Sequence, residues 1–120
     1  MKKSQSLGKD LRIFRERDWE EIRRNGRRLE LPHFLVIFKS NNNCQTRIGI
    51  SIGKKIPEAY KRNRLKRLIR ECFRTNREKF SSGKGIDCIV IVSPKINNVK
   101  KSSWGELIRE ELLGAWEKIF

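Results

Sequence analysis

The residues best placed to do chemistry in this chain are cations. Between positions 54 and 70 it carries Lys54, Lys55, Lys61, Arg62, Arg64, Lys66, Arg67 and Arg70 against a single carboxylate, Glu58, a surplus of seven positive charges in 17 residues. Guanidinium groups at this density suit phosphate. Their planar fork donates two parallel hydrogen bonds to one anion, whereas an ammonium acts as a point charge. Over the whole chain 29 Lys and Arg face 14 Asp and Glu, a formal net charge of +15. A compact domain this basic repels itself unless a polyanion screens it, so nucleic acid is the first candidate partner and an anionic membrane surface the second. The last twenty residues hold three basic and four acidic side chains, so the positive field is concentrated in the middle of the chain.

The other reactive groups form no constellation. Cys44, Cys72 and Cys88 are scattered without a C-x-x-C pair, the pattern of reduced residues in a cytoplasmic protein. One histidine, His33, is too few for a zinc site or a Cys–His nucleophile. Asp18, Glu20 and Glu21 lie close together, as a metal-dependent nuclease requires, but they sit among arginines where a solvated helix surface accounts for them. The expectation is therefore no catalytic residue and no metal site in the protein itself. Residues 1–8 are polar and no apolar run approaches 18 residues, so neither a signal peptide nor a membrane span is expected.

The elements that must position these groups follow from periodicity. At 120 residues, with 37% hydrophobic and 36% charged, the chain is expected to form one domain with one modest core, residues 1–10 being a flexible basic arm. Residues 17–25 predict a short helix capped by Asp18, with Trp19 and Ile22 on one face and Gly26 as the stop. Phe34 to Phe38 predicts a strand buried on both faces. After the Asn41-Asn42-Asn43 turn signal, residues 47–53 alternate, with Ile48, Ile50 and Ile52 on one face and Gly49, Ser51 and Gly53 on the other. These two strands are expected to pair as a hairpin. From Pro57 to about Lys79 no breaker intervenes, and Leu65, Leu68, Ile69, Cys72 and Phe73 mark an amphipathic helix. Asp87 to Val92 predicts a strand, residues 95–102 a polar loop, and Ser103 with Glu106 a capping box. A last helix follows, with Trp104, Leu107, Ile108, Leu112, Ala115, Trp116 and Ile119 on one side. The fold class is α+β, a sheet packed with helices.

On the long helix, at about 100° per residue, Arg62, Lys66, Arg70 and Arg77 project within roughly 80° of one another, with Asn63, Arg67 and Arg74 extending the face. Arg62/Lys66 and Lys66/Arg70 are like-charge i,i+4 pairs, each unfavourable by a few tenths of a kcal/mol (about 0.2–0.5) in an isolated helix. A solvated face normally mixes signs, so this one points to phosphate. The Gly49/Ser51/Gly53 face admits two readings, an RNA backbone approaching closely or a covering helix of the protein itself. Trp19 and Phe34 likewise suit either the core or base stacking.

The run Ser51-Ile-Gly-Lys-Lys-Ile-Pro-Glu-Ala-Tyr-Lys-Arg-Asn-Arg-Leu-Lys-Arg-Leu-Ile-Arg70 resembles the signature of the bacterial ribonuclease P protein subunit, centred on Arg-Asn-Arg-x-Lys-Arg-x-x-Arg from Arg62 to Arg70. Less specific similarity extends over roughly residues 7–118. The resemblance implies a mixed sheet of about four strands with three helices and a left-handed βαβ crossover around the basic helix. Generic rules favour the opposite hand. It further implies a protein that assists a catalytic RNA in removing the 5′ leader of precursor tRNA, with Mg2+ bound mainly by the RNA and no protein partner required. By the same resemblance, Lys54, Lys55, Arg62, Asn63, Arg64, Lys66, Arg67 and Arg70 face the RNA subunit, and Trp19, Phe34, Ser51 and Lys55 line a cleft for the leader. The chain departs from the family pattern at Trp19, where phenylalanine is common, and at Arg23, which replaces a second aromatic. It departs again at Ile37, a tyrosine in some members, and at Pro57, a usual glycine. The rival readings are a ribosomal or chaperone-type RNA-binding module, a stand-alone nuclease built on Asp18, Glu20 and Glu21, and a duplex DNA binder.

Overall fold

The computed structural model describes residues 16–41, 46–76 and 85–119. Helix α1 (Glu16–Asn25) leads into strands β1 (Arg27–Glu30), β2 (Phe34–Ser40) and β3 (Arg47–Ile52). Helix α2 (Ala59–Thr75), strand β4 (Ile86–Val92), 3-10 turns at Pro94–Asn98 and Lys101–Ser103, and helix α3 (Trp104–Ile119) complete the chain. The N-terminal arm, Asn42 and Asn43 of the turn signal, Cys44, Arg77, the end of the long helix toward Lys79 and the Ile119 side chain lie outside what is described.

The α+β class holds, but the expected hairpin does not. Sheet order is β1-β2-β4-β3, with β1/β2 and β2/β4 antiparallel and β3/β4 parallel. β4 separates the two strands expected to pair. β2 and β4 are apolar on both faces and take the two central positions, while β3, trimmed by Gly49 and Ser51, takes an edge. The chain also leaves β2 toward β4: Asn41 N–H donates to Gly85 O at 3.2 Å and its side chain to Asp87 Oδ1 at 2.8 Å. The true hairpin partner of β2 is β1, closed by Leu31 N–H to Phe34 O at 2.8 Å. β1 (Arg-Arg-Leu-Glu) had no apolar pattern to announce it.

Alternation gives the sheet two differently covered faces. Phe34, Val36, Ile48, Cys88, Val90 and Val92 point to the main core, where Leu65, Ile69, Cys72 and Phe73 of α2 meet Trp104, Ile108, Leu112 and Trp116 of α3. Ile37 and Ile89 point the other way and are covered by Ile22 of α1, with Trp19, Leu35 and Ile91 at the margin. The stripes expected for the two long helices are thus the surfaces they bury. Gly26 lets α1 turn directly into β1. Its N–H donates to Ile22 O at 2.7 Å, and an added Cβ would fall 2.5 Å from that oxygen and 2.9 Å from Ile37 Cγ2.

Three boundary expectations change. Asp18 lies inside the first turn of α1, which begins at Glu16, so it is not the cap. Pro57 precedes the helix, whose N-cap is Glu58. The expected polar loop at 95–102 is largely 3-10 turn pinned by fully buried Ile96, and Ser103 belongs to the second turn, which runs straight into α3.

Candidate nucleic-acid interface

The parallel pairing of β3 with β4 places α2 across the core face of the sheet, with Leu65, Ile69, Cys72 and Phe73 inward. Asn63, Arg64 and Arg67 are exposed on its outer side, and Lys66 and Arg70 are half-buried along the shoulder. Lys54 and Lys55 are exposed in the turn between β3 and α2, closed by Ile56 N–H to Gly53 O at 3.2 Å. Of the eight residues expected to face RNA, five thus lie along this side of α2 and two, Lys54 and Lys55, in the turn that leads into it. Only Glu71 is acidic within α2, and it is paired with Arg74. That guanidinium holds the Glu71 carboxyl below its ordinary value. The first turn itself contains no acid, but the N-cap, Glu58, is one and lies 3.6 Å from Lys61 Nζ, so it offsets part of the positive end of the helix dipole.

Arg62 differs from its neighbours. Its Nη1 donates to Ile56 O at 2.8 Å and Pro57 O at 2.7 Å, tying the turn after β3 to the helix. It also lines a shallow open depression with Ile52, Gly53, Lys54 and Pro57. Part of its hydrogen-bonding capacity is thus spent inside the protein, a role invisible in a helical projection.

The second candidate surface is the opposite sheet face beside α1. Across it, Ser51, Ile91 and Leu35 are register partners in one row, and Gly49, Ile89 and Ile37 in the next. The Trp19 ring lies over Gly49, with Arg23 Cζ 5.5 Å from its centroid. Ser51, Leu35, Ile91 and Trp19 are all half-exposed, and this partly open strip of the sheet beside α1 is the candidate groove. The covering-helix reading of the small-residue face holds at Gly49. α1 covers Gly49, and the surface around Ser51 stays open. Phe34 does not join this groove. It is 2% exposed and points into the main core on the other face, because it is two residues from Val36 in a strand whose groove-facing positions are Leu35 and Ile37.

The carboxylates of α1 do not converge. Asp18 turns toward Arg47 on β3 (3.8 Å), Glu21 pairs with Lys39 on β2 (3.2 Å), and Glu20 is exposed. Among the described residues no group of three His, Cys, Asp or Glu side chains could hold a metal ion. Two networks escaped sequence reasoning. Asp87, only 7% exposed, accepts from Arg47 Nε and Nη2 at 2.9 and 2.7 Å and from Asn41. The Asp87 carboxylate raises the Arg47 pKa above its ordinary value. An acid opening an otherwise apolar strand was the available signal. His33, between β1 and β2, is held by Glu111 of α3 through its backbone N–H (3.0 Å) and Nδ1 (2.6 Å). No sequence spacing links residues 78 apart.

Comparison with known proteins agrees with this architecture. The family model for Ribonuclease P matches residues 7–119. The ribonuclease P protein component of Syntrophus aciditrophicus is 36% identical over 98 residues, covering 82% of this chain and 81% of that protein. The solved RNase P protein of Thermotoga maritima superposes with a TM-score of 0.78 at 31% identity, over 91% of this chain and 97% of that one. That of Staphylococcus aureus gives 0.77 at 27%, over 88% and 94%. With the family model matched over residues 7–119 and a relative 36% identical across most of both chains, the chain belongs to the ribonuclease P protein family.

Proposed function

We propose that this protein is the protein subunit of a ribonuclease P holoenzyme. It binds the catalytic RNA subunit through the outer face of α2 and the 5′ leader of precursor tRNA in the groove beside α1. The observation that carries the reading is the exposure of Asn63, Arg64 and Arg67 on α2 and of Lys54 and Lys55 in the turn before it, in a chain of this family. Lys66 and Arg70 on the shoulder of α2 add two further cations, and Arg62 contributes whatever donors its backbone contacts leave.

The protein's part is positioning and screening. Cations on α2 lower the repulsion between RNA phosphates, an effect of counterion release that is steep in salt. In the groove, Ser51 offers a hydroxyl, Trp19 an indole edge and Arg23 a guanidinium to a single strand. Lys55, exposed in the turn that leads from β3 to α2, adds a cation between the two in the chain. Phe34 has no part in the leader site. Mg2+, held mainly by the RNA, would supply the Lewis-acid chemistry of the hydrolysis, and the residues of this chain would only bind and orient the RNA around it. The protein alone does not cleave, and no second protein is required. Buried Cys72 and Cys88, neither of them in a disulfide, fit a reducing cytoplasm, and the chain is read as one domain. Reconstitution with ribonuclease P RNA at low magnesium tests this reading.

A further inference from the structure

Tyr60 is the one large hydrophobic side chain left exposed among the described residues, at 58%. At about 100° per residue it stands roughly 40° from Arg64 and 20° from Arg67 around α2, on the outer face. From the 3-10 turn ahead of α3, Lys101 holds Nζ 4.8 Å from the ring centroid. The two segments are joined again where Asn97 Nδ2 donates to Lys55 O at 3.1 Å. Lys95, Lys100 and Lys101 are exposed, and no carboxylate occurs from residue 94 to 105. The tyrosine is therefore an open aromatic ring surrounded by cations from two separate parts of the chain.

We propose that Tyr60 stacks on an unpaired base of the RNA subunit, with Arg64 and Lys101 taking the flanking phosphates. This deepens the proposed function and rests on it. An aromatic anchor for a protein partner sits where charged residues are depleted, and the surroundings here are the reverse. Every base offers a π-face, and cations beside an aromatic ring suit a polyanion that presents bases. The RNA interface thus extends beyond the 62–70 motif to the turn before α3, a segment that composition alone reads as linker.

The test is equilibrium binding of the full chain to a ribonuclease P RNA transcript, over a salt series, for wild type, Tyr60→Ala, Tyr60→Phe and Lys101→Ala. The expected result is about a tenfold loss for Tyr60→Ala with an unchanged salt slope, and near wild-type affinity for Tyr60→Phe. Lys101→Ala should reduce the slope of log K against log salt by about 0.7. Equal affinities for wild type and Tyr60→Ala overturn the inference and leave the proposed function standing. Failure of the wild type to bind the transcript overturns both. Self-association of the free protein that Tyr60→Ala abolishes, with RNA affinity unchanged, assigns the ring to a second copy and also overturns it. Thermal unfolding of each variant separates loss of binding from loss of fold.

Discussion

The Trp19 indole rests directly on Gly49: a Cβ added at Gly49 would lie 2.7 Å from Trp19 Cη2 and 2.8 Å from Cζ2. This contact joins α1 to the edge strand and forms the wall of the groove next to Ser51. Gly49→Val must push the indole away from the sheet, at about 1–3 kcal/mol of stability. Its precursor-tRNA leader affinity should fall while its affinity for the RNA subunit stays within about twofold. Urea unfolding and separate titrations with leader-bearing and leaderless substrates check both halves.

Arg62 and Arg67 are near neighbours in the motif but should respond differently to mutation. Arg67→Ala removes an exposed cation, so stability should change by no more than about 0.5 kcal/mol while RNA affinity and its salt slope both fall. Arg62→Ala also frees the carbonyls of Ile56 and Pro57, which should cost about 1–2 kcal/mol of stability. Urea midpoints measured beside RNA affinities distinguish the two.

The Arg47–Asp87 clamp predicts a stability effect without an RNA contact. Arg47→Ala leaves the buried Asp87 carboxylate with Asn41 as its remaining side-chain donor among the described residues and should destabilise by about 2 kcal/mol. Replacing Asp87 by Asn in the same background should recover part of that loss, since the uncompensated charge is then gone. A double-mutant cycle in urea measures the coupling.

Burial pushes the Cys88 thiol up to about 12. Its folded-state pKa lies above the unfolded one, near 9, so the protonated thiol is favoured by the fold. Its contribution is complete below about pH 9 and is lost as pH rises through about 9 to 12. Denaturant midpoints should therefore fall with alkaline pH, and less steeply in Cys88→Ala. Alkylation of Cys88 in the folded protein should be slow at neutral pH.

The parts of the fold legible in the sequence were those set by a single helix or strand. The α2 stripe from Leu65 to Phe73 and the α3 stripe from Trp104 to Trp116 needed only a period of 3.6 to be read. Strand pairing is a relation between distant segments, and local alternation cannot choose it. The apolar runs of β2 and β4 were visible, but not that they would pair and displace β3 to the edge. The same gap misplaced Phe34, since a strand apolar on both faces does not tell which side meets α1. On the candidate site, the outer cations of α2 were legible because they are local. The backbone contacts of Arg62 and the cation over Tyr60 arise from tertiary packing and had no sequence signature.

If this chain completes a ribonuclease P ribonucleoprotein with the outer face of α2 on the RNA, adding it should change what the RNA does by itself. The most direct measurement is 5′ processing of precursor tRNA by a ribonuclease P RNA at low magnesium, with purified protein added. Wild type should restore cleavage at the mature 5′ end. Arg64→Glu with Arg67→Glu should abolish it at low protein concentration while the urea midpoint stays unchanged. No restoration by wild-type protein, or full restoration by the charge-reversed variant, would contradict the account.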